Sequence, residues 1–164
     1  MAIDPQRALR RSIGVARLDT ATIEEVEADT SATAEAGVVV VVSSIIGSVG
    51  SLFVDGLGGF LSWIAILIVG WFVWAWLSAF IAEKLFDVRT TDIGEMQRAI
   101  GYASAPRAIG LIPYLGFVAG IWTLVAFIVA IRQAGEMTTG QAIITALVGL
   151  IPAALAIGIV SAIL

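Results

Sequence analysis

Residues 60–82, FLSWIAILIVGWFVWAWLSAFIA, run without a single charged side chain. As an α-helix this stretch reaches about 35 Å, enough to cross a hydrocarbon core of about 30 Å. Inside lipid, backbone N–H and C=O groups must be satisfied within the protein, so an uninterrupted apolar run of this length reads as a helix. A second run, AGVVVVVSSIIGSVGSLF at residues 36–53, lies just upstream and reaches about 27 Å. Only VDGLGG, with Asp55 as its one charge, separates the two, and Glu83 and Lys84 stop the second run. The pair is predicted to form a helical hairpin. Ser43, Gly47 and Ser51, spaced four apart, give its first helix a small-residue face suited to close packing.

The whole chain agrees with that reading. It has 164 residues, 59% hydrophobic and 13% charged, where soluble domains carry about a quarter charged. The nine basic residues are scattered, without aromatic–basic interleaving, so no nucleic-acid partner is expected. Cysteine and histidine are both absent. That removes thiolate clusters, the usual axial ligand of haem, the commonest zinc ligand and the commonest general base. No cofactor, metal site or catalytic residue is expected, and an enzyme ranks last among the function classes.

Before the first run, residues 1–17 hold Arg7, Arg10, Arg11 and Arg17 among Ile3, Leu9, Ile13 and Val15. Two readings fit: a helix lying at an anionic membrane surface, or a solvated tail. Residues 18–35 turn acidic, and Thr22 with Glu25 makes a capping-box pattern that predicts a helix start. This segment is polar and too long for the n-region of a secretory signal. Residues 1–35 are accordingly read as a cytoplasmic N-terminal segment, and residues 36–164 as a transmembrane domain.

Residues 83–107 form the most charged connector, and Asp92 with Glu95 predicts a helix from near Ile93 that Pro106 ends or kinks. Residues 108–131 are apolar but contain Pro113. After a short polar connector with Arg132, the pair Thr138 and Gln141 opens a last run at 142–164, with Pro152 inside it. Basic residues gather before the first span and in the 83–107 connector, which places both in the cytoplasm. Two solutions remain. In one, residues 108–131 cross once, and there are four spans. In the other, residues 95–113 form a short or re-entrant third segment, residues 114–131 a fourth, and Arg132 returns to the cytoplasm. Length opposes the second, because Ala99 to Ile112 covers only about 21 Å as an α-helix.

Three blocks in order resemble the bacterial branch of the Yip (Ypt-interacting protein) domain family. They are TIEEVEADTSATAEAGVVVV at 22–41, RAIGYASAPRAIGLIP at 98–113, and IWTLVAFIVAIRQAGEMTTGQAIITALV at 121–148. The resemblance implies a cytoplasmic N-terminus and about five closely packed hydrophobic segments, some too short for a full crossing. It therefore tips the topology toward five. Eukaryotic relatives act in vesicle trafficking and interact with small GTPases, and are not enzymes.

The expected architecture is an all-α polytopic transmembrane helix bundle with spans at about 36–53, 60–82, 95–113, 114–131 and 142–164. It is placed in a bacterial cytoplasmic membrane. Gly101, Tyr102, Ser104, Pro106, Arg107, Gly110 and Pro113 are expected to pack helices or meet a partner or lipid, with Gly116 and Gly120 as a GxxxG pair in the next span. Arg107 is the most informative charge, read as a lipid or partner contact or as an interfacial arginine snorkelling to water. Trp63, Trp71, Trp74, Trp76 and Trp122 are expected as interfacial anchors. The leading function is a scaffold or accessory subunit that associates with the bilayer, with other membrane subunits or with itself. The alternatives are a small transporter or channel, for which Ser43, Ser44, Ser48 and Thr123 are the only polar hints, and a membrane-organising factor of trafficking type.

Overall fold

A computed structural model describes residues 3–88, 92–112 and 114–163, with side chains through Pro152 and at Leu155. Every element among the described residues is a helix. The order is α1 (Pro5–Ala16), α2 (Thr20–Ala28), α3 (Ala32–Gly47), α4 (Val49–Val54), α5 (Gly56–Phe86), α6 (Ile93–Ala103), a 3-10 helix (Ala105–Leu111), α7 (Gly116–Ala134) and α8 (Thr139–Ile163). Among the described residues, three stretches are long and apolar enough to cross a membrane: Ala32–Val54, Gly56–Phe86 and Gly116–Ala134.

Local chemistry sets most helix ends. Asp4 caps α1 by accepting from the backbone N–H of Gln6 at 3.0 Å and of Arg7 at 3.3 Å, with Pro5 in the first turn. The α2 start differs from expectation. Asp19 takes the cap position, accepting from the Ala21 N–H at 3.2 Å and from the Thr22 hydroxyl at 2.6 Å. Thr22 thus lies inside a helix that begins two residues earlier, because the nearer carboxylate reaches the freed N–H groups. The Thr138–Gln141 pair does form, with the Thr138 N–H donating to Gln141 Oε1 at 2.9 Å and the Gln141 N–H to Thr138 Oγ1 at 3.4 Å. The expected turn at 54–59 contracts to Asp55 and Gly56. Gly56 adopts φ +69°, which only glycine takes without strain, and α5 starts there.

α6 sits at the centre, packed between α3, α5 and α7. Met96, Ala99, Ile100, Tyr102 and Ala103 are fully buried. Small residues make this possible. A Cβ on Gly101 would lie 2.8 Å from Ala36 Cβ and 3.2 Å from Trp71 Nε1. Pro106 lacks an N–H and cannot continue the α-helix, and the chain runs on as a 3-10 helix. A 3-10 helix rises about 2.0 Å per residue, so Ala99–Ala103 and Ala105–Leu111 together still cover only about 21 Å. The 3-10 helix meets the far end of α3, where a Cβ on Gly47 would lie 2.8 Å from the Arg107 carbonyl oxygen.

α1 and α2 share this core. Val15, Ile23 and Val26 join Val40, Trp71, Ile100, Phe127 and Ile131 in one cluster. α1 turns Arg11 inward and leaves Arg10 and Arg17 exposed beside Leu9 and Ile13. Buried residues thin out toward the opposite end. On α5 they begin at Trp71, and the preceding fifteen positions bury none.

Gly47→Leu is expected to lower stability by about 1–3 kcal/mol, because its side chain meets backbone that cannot yield. Gly120 has nothing within 4 Å of a built Cβ. Gly120→Ala should be neutral or stabilising by up to about 1 kcal/mol. Thermal unfolding of both variants in one detergent would check the contrast.

Candidate functional site

Two features concentrate the polar chemistry. The first is a cluster around Glu35 in the opening turn of α3, a carboxylate only 1% exposed. Arg7 of α1 pairs with it, with Nε donating to Oε1 at 2.9 Å. Arg11 Nη1 lies 3.2 Å from Oε2, and the Tyr102 hydroxyl of α6 donates to the same oxygen at 2.9 Å. Arg11 also donates from Nε to Glu25 Oε1 and from Nη2 to Asp29 Oδ2, each at 2.9 Å. Arg98 of α6 donates from Nε to the Glu27 carbonyl oxygen of α2 at 2.9 Å. Ion pairs from α1 to α2 and α3, with hydrogen bonds from Tyr102 and Arg98 of α6, join these helices at one end of the bundle. Buried pairs add little net stability, but removing one partner strands the other charge at a cost of about 3–5 kcal/mol.

Glu27 stands apart from these pairs. Its Oε2 is buried without a hydrogen-bond partner. Burial first, then the carboxylates of Glu95, Glu24 and Glu136, push its carboxyl up to about 7, with Arg98 opposing. Asp29 moves the other way, held below the usual range by hydrogen bonds from Ser31 and Arg11.

The second feature is a recess of about 610 Å³ in the loosely packed half of the bundle. Gly47, Trp63, Trp74, Arg107, Gly120 and Phe127 are among its walls. The Arg107 guanidinium lies 5.4 Å from the centre of the Phe127 ring, and Trp74 meets the same ring edge-on at 4.9 Å. Arg107 Nη1 and Trp74 Nε1 are both buried and without a hydrogen-bond partner.

The residues singled out from sequence divide between these places. Tyr102 had no visible acid–base partner in the sequence, and the fold supplies Glu35. Ser104 lies 3.1 Å from Ser43 across the α3–α6 contact. Gly101 is close-packed, Pro106 is buried, and Gly110 sits in ordinary contact with Gly47. Gly116 and Gly120 do not bring helices together. Neither has an atom within 4 Å of a built Cβ, and both line the recess. Pro113 lies outside the described residues. Tyr114 is fully exposed at φ +69°.

The tryptophans do not act as one class. Trp76 is half-exposed and stacks on Phe80. Trp63 and Trp74 line the recess. Trp122 donates to the Ala16 carbonyl oxygen at 2.8 Å and ties α7 to α1. Trp71 is not an anchor at all. It is 5% exposed and donates from Nε1 to the Gln97 carbonyl oxygen at 2.9 Å. Sequence reasoning missed Glu35 and Arg98 as buried groups. The available signal was a lone carboxylate immediately before an apolar run, one turn inside its helix.

The model of the Yip1 domain matches residues 20–163. The chain belongs to the Yip1 domain family. No curated protein and no solved structure matches it. The Yip1 domain therefore includes α2 and the acidic residues of the cluster, while Arg7 and Arg11 come from α1, before its first matched residue. With three helices able to cross a bilayer, this Yip1 protein is an integral membrane protein.

Glu35→Ala should lower stability by about 3–5 kcal/mol, since Arg11 stays buried. Tyr102→Phe removes one hydrogen bond to a charged group and should cost about 1.5–3 kcal/mol. Thermal unfolding with both single variants and the double variant would show coupling between them. Glu27 adds a pH dependence. Its pKa is raised on folding, so its contribution is full below about 4.5 and is lost as the pH rises through about 7. The protection factors of α2 amides, corrected for the base-catalysed intrinsic rate, should be higher at pH 5.5 than at pH 8, and Glu27→Gln should flatten that difference.

Proposed function

We propose that this Yip1 protein is a non-enzymatic scaffold or accessory subunit, acting through helix–helix and helix–lipid packing. The observation that carries this reading is the use of its buried charges. Glu35, Arg11 and Arg98 hold helices to one another. Two of the four side chains that hinted at a transport path, Ser43 and Thr123, support the same reading, while Ser48 lines the recess. Ser43 and Ser104 bond across a helix contact, and Thr123 bonds back to the Ala119 carbonyl oxygen at 2.7 Å. The outward faces of α3, α5 and α7 are rich in exposed large apolar side chains, among them Val42, Phe72, Trp76 and Phe117. Such faces suit lipid and the helices of other subunits.

Within this reading the N-terminus is cytoplasmic, and α6 with the 3-10 helix enters the membrane and returns through α7. Contacts of α2 with both α6 and α7 support it, as does the bond from Gln133 Nε2 to Glu24 Oε1 at 2.9 Å. These put the end of α7 beside the N-terminal helices, so α8 leaves from the same side.

Affinity purification in mild detergent should yield a self-associated or mixed assembly. A strictly monomeric particle without a co-purifying protein would count against the scaffold. A C-terminal reporter active only in the cytoplasm should stay silent.

A further inference from the structure

We infer that the recess between α5, α7 and the 3-10 helix is a binding site for one anionic membrane lipid, with its phosphate or carboxylate on Arg107. The inference rests on the reading above only in taking the chain as membrane-embedded.

Depth makes Arg107 unusual. Its carbonyl oxygen crosses α3 at Gly47, twelve residues beyond Glu35. At about 1.5 Å per residue, that is about 18 Å from the charged end of the bundle. Asp55, at the other end of the first span, is a further eight residues on. A cation at that depth is costly without a partner. No carboxylate pairs with it among the described residues, and its near neighbour is the face of the Phe127 ring.

The chemistry of the unpaired groups then selects the ligand. Arg107 Nη1 and Trp74 Nε1 are buried and unpartnered, and both side chains flank Phe127 in the same recess. Arginine and tryptophan only donate hydrogen bonds. The complementary group is therefore an acceptor, and beside a guanidinium a negatively charged one. A cation or a purely apolar plug would leave the guanidinium unmet, while Trp74 Nε1 lies against Gly149 of α8.

The remaining walls fit a hydrocarbon chain. Leu67, Leu124 and Leu150 line the recess, and Trp63 stands at its exposed margin. Gly116 and Gly120 supply width, since neither has an atom within 4 Å of a built Cβ. A volume of about 610 Å³ falls within the range of small-molecule sites, about 300–1,000 Å³. A charged head with an apolar tail satisfies both parts of this wall. A free anion satisfies only one.

Tryptophan fluorescence tests this, because Trp63 and Trp74 report from inside the recess. The full-length protein is placed in phosphatidylcholine vesicles with a small fraction of chain-brominated phosphatidylglycerol, or of chain-brominated phosphatidylcholine in its place. Trp76 and Trp122 face outward and give the background that both lipids quench. The anionic lipid should quench the recess component at about tenfold lower mole fraction than the neutral one, the factor set by a charge-assisted hydrogen bond. Arg107→Gln should bring the two lipids to parity, and Trp63→Phe should diminish the preferential component.

Gly120→Leu keeps Arg107 and fills the recess, so it should also abolish the preference if the chain binds there. Thermal unfolding of each variant confirms that it is folded. Inorganic phosphate in excess should not compete, and competition by it would make the ligand a free anion and overturn the lipid assignment. Equal quenching of the wild type by the two lipids would overturn the site itself. So would an anionic preference that survives in both folded Arg107→Gln and folded Gly120→Leu. A protein lost from purified Arg107→Gln, with lipid quenching unchanged, would assign the arginine to a partner's carboxylate instead.

Discussion

The carboxylate of Glu35 is the point from which the rest of the structure hangs. It sits in the first turn of α3, where the exposed N–H groups of a helix already favour negative charge. It is buried all the same, and burial of an unpaired carboxylate is not tolerated. Arg7 and Arg11 from α1 and Tyr102 from α6 therefore converge on it. Because Tyr102 is bonded to the top of α3, α6 descends beside that helix. The 3-10 helix that continues it must then cross α3 at Gly47.

Small residues do two opposite things along this descent. At Gly101 and Gly47 the absence of a side chain lets backbones and ring edges approach to distances a Cβ would forbid. At Gly116 and Gly120 the same absence leaves open space. The difference lies in what each glycine faces: Gly101 meets Ala36 of α3 and Trp71, Gly47 meets the 3-10 helix, and Gly116 and Gly120 face the recess. That contrast gives the protein a tightly packed end, where charge pairs organise it, and a looser end, where aromatic rings and one arginine surround a recess.

Much of the architecture was legible because lipid imposes a strict rule on composition and length. The run at 60–82 contains no charge, so it reads as a span, and its helix extends from Gly56 to Phe86. The start of α6 at Ile93 and the break near Pro106 were equally legible, since a proline lacks the N–H that the next turn needs. Arg107 stood out as the isolated charge of an apolar block. Harder to read were features fixed by rotation about a helix axis. Five tryptophans look alike in sequence, yet Trp71 faces the core and Trp76 faces outward. Hydrophobic periodicity is weak where nearly every residue is apolar, so the sequence carries little information about which face is inside.

Sequence alone determined that the chain is helical and membrane-embedded, where its apolar segments lie, and its membership of one family. The first two follow from local rules of length, charge and proline, and the family from the resemblance of three sequence blocks. Only the tertiary structure decided that Glu35, Arg7, Arg11 and Tyr102 share one buried cluster. It also decided that a GxxxG pair faces a recess and that Arg107 meets an aromatic ring at depth. Those depend on how helices far apart in the chain are rotated and staggered against each other, which no single segment encodes.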